Sequence, residues 1–86
     1  MYFVELSVRA QDFLKKLDRG TRERIEKRLK NLEDDSVPSD AKFIGRDNDE
    51  MIFRYRIGKF RALYKLKKVQ KQILITKIDK RDRVYD

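Results

Sequence analysis

Hydrophobic and polar positions alternate with period two from Met51 to Tyr64, with a break at Gly58-Lys59. Phe53, Tyr55 and Ile57 fall on one face of an extended chain, and Arg54 and Arg56 on the other. Glycine at the first central position of a two-residue break suits a type II′ hairpin. That turn predicts strands over 51–57 and 60–66, with Ile57 opposite Phe60, Arg56 opposite Arg61 and Arg54 opposite Leu63. Directly opposed residues share a face, so Arg56 and Arg61 would stand side by side. Like charges in that position are destabilising. A phosphate held between them would offset the cost, because arginines offer bidentate donors to it.

Tyr2 to Leu6 reads as a short first strand. Ser7 suits an N-cap, and Ala10, Phe13, Leu14 and Leu17 then recur at helical spacing. Asp18-Arg19-Gly20 reads as the break after that helix, with Gly20 near its C-terminal end and Thr21 capping a second helix. Ile25, Leu29 and Leu32 form the second stripe, and the charged run from Arg22 to Lys30 reads as a solvated face. Residues 34–41 read as a loop, Lys42 to Gly45 as a lead-in, and Arg46 to Glu50 as a polar turn. Gln72 to Ile78 is apolar and rich in β-branched residues, as suits a central strand. The predicted order is β-α-α-β-β-β. This is an α+β fold with a helical hairpin on a small antiparallel sheet, in one domain over residues 1–86.

Charge changes this picture from a fold to a candidate site. Residues 1–51 hold 11 Lys/Arg and 12 Asp/Glu, a net of −1, whereas residues 52–86 hold 12 and 3, a net of +9. The whole excess lies on the predicted meander, and a polyanion is the partner such a surface suits. The chain has no Cys and no His, which removes disulfides, thiolate chemistry and the commonest general base. No apolar run approaches the roughly 18 residues of a membrane span, so the sequence reads as that of a soluble, cytoplasmic protein.

Arg54 and Arg56 lie on one predicted strand, Arg61 and Lys65 on the same face of the next, and Arg81 and Tyr85 beyond the last. No carboxylate pair or metal-ligand cluster appears on that face, and Gly45 and Gly58 make no phosphate loop. Chemistry there would be metal-free and rich in cations. RNA cleavage suits it: the 2′-hydroxyl attacks its own phosphate while the protein positions and neutralises charge.

Phe53 to Tyr64 resembles the Y-R-x-R-x-G-x-Y-R-x-x-Y signature of RelE/ParE superfamily toxins. Lys80-Arg81-Asp82-Arg83-Val84-Tyr85 is similar to the superfamily's C-terminal H-R-x-x-V-Y. Lys42 to Gly45 resembles its K-x-L-x-G, and Ser7 to Leu17 its first helix. The resemblance implies a type II toxin with a microbial-ribonuclease-like fold, neutralised by a RelB-like antitoxin. It implies cleavage of mRNA in the ribosomal A site, with no small-molecule cofactor. By motif, Arg61 would stabilise the transition-state phosphate, Arg81 would act at the leaving 5′ oxygen, and Tyr85 would stack on a base. Arg54, Arg56, Lys65, Lys80 and Arg83 would contact RNA. Arg54 and Arg56 stand where some RelE enzymes carry lysines, and an arginine is almost never deprotonated. Either these positions act only as electrostatic clamps, or the general base is Lys65, Tyr85 or the ribosome itself. Two other readings are a ParE-like inhibitor of DNA gyrase and a non-catalytic basic RNA-binding module.

Overall fold

A computed structural model describes residues 1–80. The chain runs β1 (Phe3–Leu6), α1 (Val8–Lys15), α2 (Arg19–Lys30), a 3-10 turn (Asn31–Glu33), β2 (Ala41–Asp47), β3 (Glu50–Ile57), β4 (Phe60–Lys67) and β5 (Gln72–Lys80). The strands form one sheet in the order β1-β5-β4-β3-β2. β2 to β5 are antiparallel neighbours, and β1 pairs parallel to β5, with Phe3 opposite Gln72. The fold is α+β, as the pattern predicts, but the sheet is mixed and has one strand more than expected.

The additional strand is β2. Its Lys42-Phe43-Ile44-Gly45 segment, expected as a lead-in, is part of a strand whose burial does not alternate. A register shift between Phe43 and Gly45 explains this, since a bulge resets the period of two. The second helix also starts earlier than expected. Asp18 is its N-cap, its Oδ2 accepting from the Thr21 amide at 3.0 Å, and Gly20 lies inside the first turn. Asp18 and Thr21 are both acceptable caps, and the sequence does not choose between them. Ser7 caps α1 as read, its Oγ accepting from the Ala10 amide at 3.1 Å.

Both helices cover one face of the sheet. Ala10 and Leu14 from α1, Ile25 and Leu29 from α2, and Leu32 pack against Phe53, Tyr55, Ala62, Tyr64, Ile73 and Ile75. Burying each of the large aliphatic side chains stabilises the fold by on the order of 2 kcal/mol. Tyr55 and Tyr64 are core residues: Tyr64 is 0% exposed, stacks on Phe53 with centroids 5.3 Å apart, and donates from its hydroxyl to the Ser36 carbonyl at 2.7 Å. That bond ties the loop after α2 to the sheet. Burial pushes the Tyr64 hydroxyl's pKa well above the ordinary phenol range. Because the apolar side chains of β3 and β4 are claimed by the helices, their polar side chains stand on the other, uncovered face.

Candidate functional site: a basic cleft on the open face of the sheet

The site starts at the β3–β4 turn. Gly58 has φ +58°, and Lys59 is not among the residues with positive φ, which is the combination a type II′ turn requires. The register that follows places Arg56 opposite Arg61 and Arg54 opposite Leu63. β2 continues the row, with Lys42 opposite Arg54. On the far side Asp79 of β5 is opposite Arg61. Lys42, Arg54, Arg56 and Arg61 thus line one cleft of about 240 Å³ together with Ser39, Asp40 and Ala41. The Arg61 Nη1 donates to the carbonyls of Gly58 and Phe60, at 2.9 and 2.8 Å. The guanidinium is folded back on its own hairpin.

The lysines of β4 belong to a different neighbourhood. Lys65 donates to Asp47 Oδ2 at 2.7 Å, and Lys67 pairs with Glu50 at 3.6 Å. The hydrogen bond to Asp47 raises the Lys65 pKa above its ordinary value. Lys65 shares the arginines' face but does not line their cleft, and its raised pKa counts against it as a proton acceptor. Lys80 is opposite Phe60, which puts it on the other side of the sheet from Arg61. Arg81, Arg83 and Tyr85 lie outside the described residues. Of the eight site residues expected from sequence, the structure brings Arg54, Arg56 and Arg61 together.

Two residues were missed. Arg28, read as part of a solvated helix face, lies against the Tyr55 ring at 5.3 Å and donates from Nε to the Tyr55 hydroxyl at 3.3 Å. Its Nη2 donates to Asp40 Oδ2 at 3.0 Å and to the Arg56 carbonyl at 3.3 Å. The Tyr55 hydroxyl donates in turn to the Arg28 carbonyl at 3.4 Å. The bond to Tyr55 raises the Arg28 pKa further above its already high value. Asp40, read as loop, also stands 4.0 Å from Arg56 Nη2, so one carboxylate bridges α2 and the cleft. No local pattern marks either residue. Arg28 lies three positions after Ile25 and one before Leu29, on the edge of the buried stripe, and that position was the only available signal.

Residues 4–85 match the family described as ParE toxin of type II toxin-antitoxin system, parDE. The chain belongs to this family. Solved structures of RelE toxins share its fold. The archaeal RelE–RelB complex from Pyrococcus horikoshii OT3 is similar at TM-score 0.85 and 26% identity, over 96% of this chain and 98% of that one. The RelBE2 toxin–antitoxin complex from Mycobacterium tuberculosis is similar at TM-score 0.78 and 22% identity, over 93% and 98%. The intact E. coli RelBE complex is similar at TM-score 0.74 and 22% identity, over 96% and 100%. No curated protein matches the chain in sequence. This ParE-family protein is therefore a type II toxin of the RelE/ParE superfamily, as the motifs from Phe53 to Tyr64 and from Lys80 to Tyr85 led us to expect. Among its described residues no helix is long and apolar enough to cross a membrane.

Proposed function

We propose that this toxin is a cytoplasmic endoribonuclease that cuts mRNA on the ribosome and so stops translation. The observation that carries the proposal is the clustering of Lys42, Arg54, Arg56 and Arg61 around one cleft. Phosphodiester cleavage by a 2′-hydroxyl needs no metal and no bound nucleophile. It needs the substrate held in line and the charge on the phosphate neutralised as it grows. Two arginines directly opposed on a sheet are poor for stability and well suited to a bridging phosphate. In this reading Arg61 stabilises the transition-state phosphate and Arg54 and Arg56 grip its neighbours. Arg81 serves the leaving oxygen and Tyr85 the base. The partner is a RelB-like antitoxin, in keeping with the RelE–RelB complexes that share the fold.

The matched family itself supports a second reading, a ParE-like inhibitor of DNA gyrase. One pair of assays separates the two. The purified toxin is added to ribosomes translating a defined mRNA, and separately to gyrase with relaxed plasmid. Cleavage of the mRNA with unaffected supercoiling is the expected result. Blocked supercoiling with intact mRNA would establish the second reading instead.

A further inference from the structure

Arg54, Arg56 and Arg61 keep their protons, so among the described residues of the cleft the groups able to accept one are Lys42 and the carboxylate of Asp40. We propose that Asp40 is the proton acceptor for the attacking 2′-hydroxyl, an inference that rests on the ribonuclease reading above. Among the described residues that line the cleft with Lys42, Arg54, Arg56 and Arg61, Asp40 is the acidic one. It reaches that place through the backbone, because the Arg56 amide donates to the Asp40 carbonyl at 3.1 Å and so extends the row of β3 past the end of β2. Its side chain is 42% exposed, open enough for a substrate hydroxyl to approach.

The two carboxylate oxygens have different partners. Oδ2 accepts from Arg28 Nη2 at 3.0 Å, whereas Oδ1 is 4.0 Å from Arg56 Nη2, beyond hydrogen-bond distance. Arg28 is in turn fixed by the Tyr55 hydroxyl and the Arg56 carbonyl. A base oriented by a third group, here Asp40 held through Oδ2 by Arg28, is the arrangement general-base catalysis requires. Asp79, the other acid near Arg61, uses its Oδ1 to accept from the Lys80 amide at 2.7 Å and does not line the cleft. In the step, the 2′-oxygen bonds to phosphorus and its proton passes to Asp40. The phosphorus–O5′ bond breaks, and the departing 5′-oxygen takes a proton from solvent. Asp40 then returns its proton to solvent, leaving a 2′,3′-cyclic phosphate and a 5′-hydroxyl.

Among the described residues, the charged and titratable groups facing Asp40 are Arg28 from α2, Arg54 and Arg56 from β3, Lys42 and Arg61 in the cleft, and Tyr55 through Arg28. All but Tyr55 carry positive charge, so the carboxylate is set among cations. The test is single-turnover cleavage of mRNA on programmed ribosomes, at saturating toxin, from pH 6 to 9. The wild-type rate is expected to be flat over that range. Asp40→Asn should lower it by about 10²–10⁴-fold, the usual worth of a positioned base. It should leave ribosome binding equal or tighter, and Asp40→Glu should recover part of the rate. An Asp40→Asn rate within threefold of wild type, or a defect confined to binding, overturns the assignment. Should that variant fail to fold, the wild-type profile decides: a rate climbing about tenfold per pH unit means that a lysine or tyrosine is the base. A wild-type protein that cuts no mRNA at all removes the ribonuclease reading itself, and Asp40 as a base falls with it.

Discussion

Arg28 is the residue through which the helical layer grips the cleft, so Arg28→Met should loosen both. Methionine keeps the stem that packs on Tyr55 and removes every polar contact. The lost contacts are the bonds to the Tyr55 hydroxyl and the Arg56 carbonyl, each at 3.3 Å, the ion pair with Asp40 at 3.0 Å and the stacking at 5.3 Å. The two long hydrogen bonds are each worth about 0.5–1 kcal/mol. The side chains of Arg28 and Asp40 are 36% and 42% exposed. Solvent therefore screens their pair to about 0.5 kcal/mol. The Tyr55 hydroxyl keeps its bond to the residue-28 carbonyl, so no buried polar group is orphaned. These contacts share one side chain and do not add fully, which gives about 1.5 kcal/mol in total. For a domain of this size that lowers the melting temperature by about 6–12 °C. The assay is thermal unfolding followed by far-UV circular dichroism, on Arg28→Met, Asp40→Asn and the double variant. The cycle should return a coupling of about 0.5 kcal/mol that shrinks in 1 M salt, where screening acts over about 3 Å. A single-variant shift below 2 °C, or a coupling indistinguishable from zero at low salt, would refute the bridge between α2 and the cleft.

Other expectations follow from the same contacts. Arg61→Ala should lower mRNA cleavage by about 10²–10³-fold, the cost of one transition-state donor. Its melting temperature should move by only a few degrees, since its bonds to the Gly58 and Phe60 carbonyls lie within its own hairpin; cleavage at the wild-type rate would remove Arg61 from the site. Tyr64→Phe leaves the Ser36 carbonyl without its 2.7 Å donor. It should cost about 1 kcal/mol, or about 4–8 °C, and a neutral result would show water replacing the bond. The hydrogen bonds from Thr21 lower the Asp18 pKa below its unfolded value. The unfolded chain therefore binds the more protons, so this stabilisation is present above the ordinary aspartate range and is lost as pH falls through the folded pKa. The gap in melting temperature between wild type and Asp18→Asn should accordingly narrow from pH 5 to pH 3, and a gap independent of pH would contradict the linkage.

Much of this protein is written locally. A period of two with Gly58 at its break determines the β3–β4 hairpin, because the two-residue turn pairs Ile57 with Phe60 and so joins the apolar faces of both strands. That register alone brings Arg56 against Arg61. The helical stripes of Ala10, Leu14, Ile25 and Leu29 are equally legible, since each is set by spacing within its own element. What the pattern could not carry is whatever depends on partners distant in the chain. β2 escaped because its bulge breaks the alternation, and it exists as a strand through pairing with β3. The parallel contact of β1 with β5 joins residues about seventy positions apart and leaves no mark on either segment. Lys65 and Arg56 look alike as basic residues on one face. Only the packed structure separates them, by giving Lys65 the carboxylate of Asp47 and leaving Arg56 at the edge of the cleft. Arg28 and Asp40 are the clearest case. They are polar residues in a helix and a loop, and their meeting is decided by where the helices settle once the apolar face of the sheet has been covered.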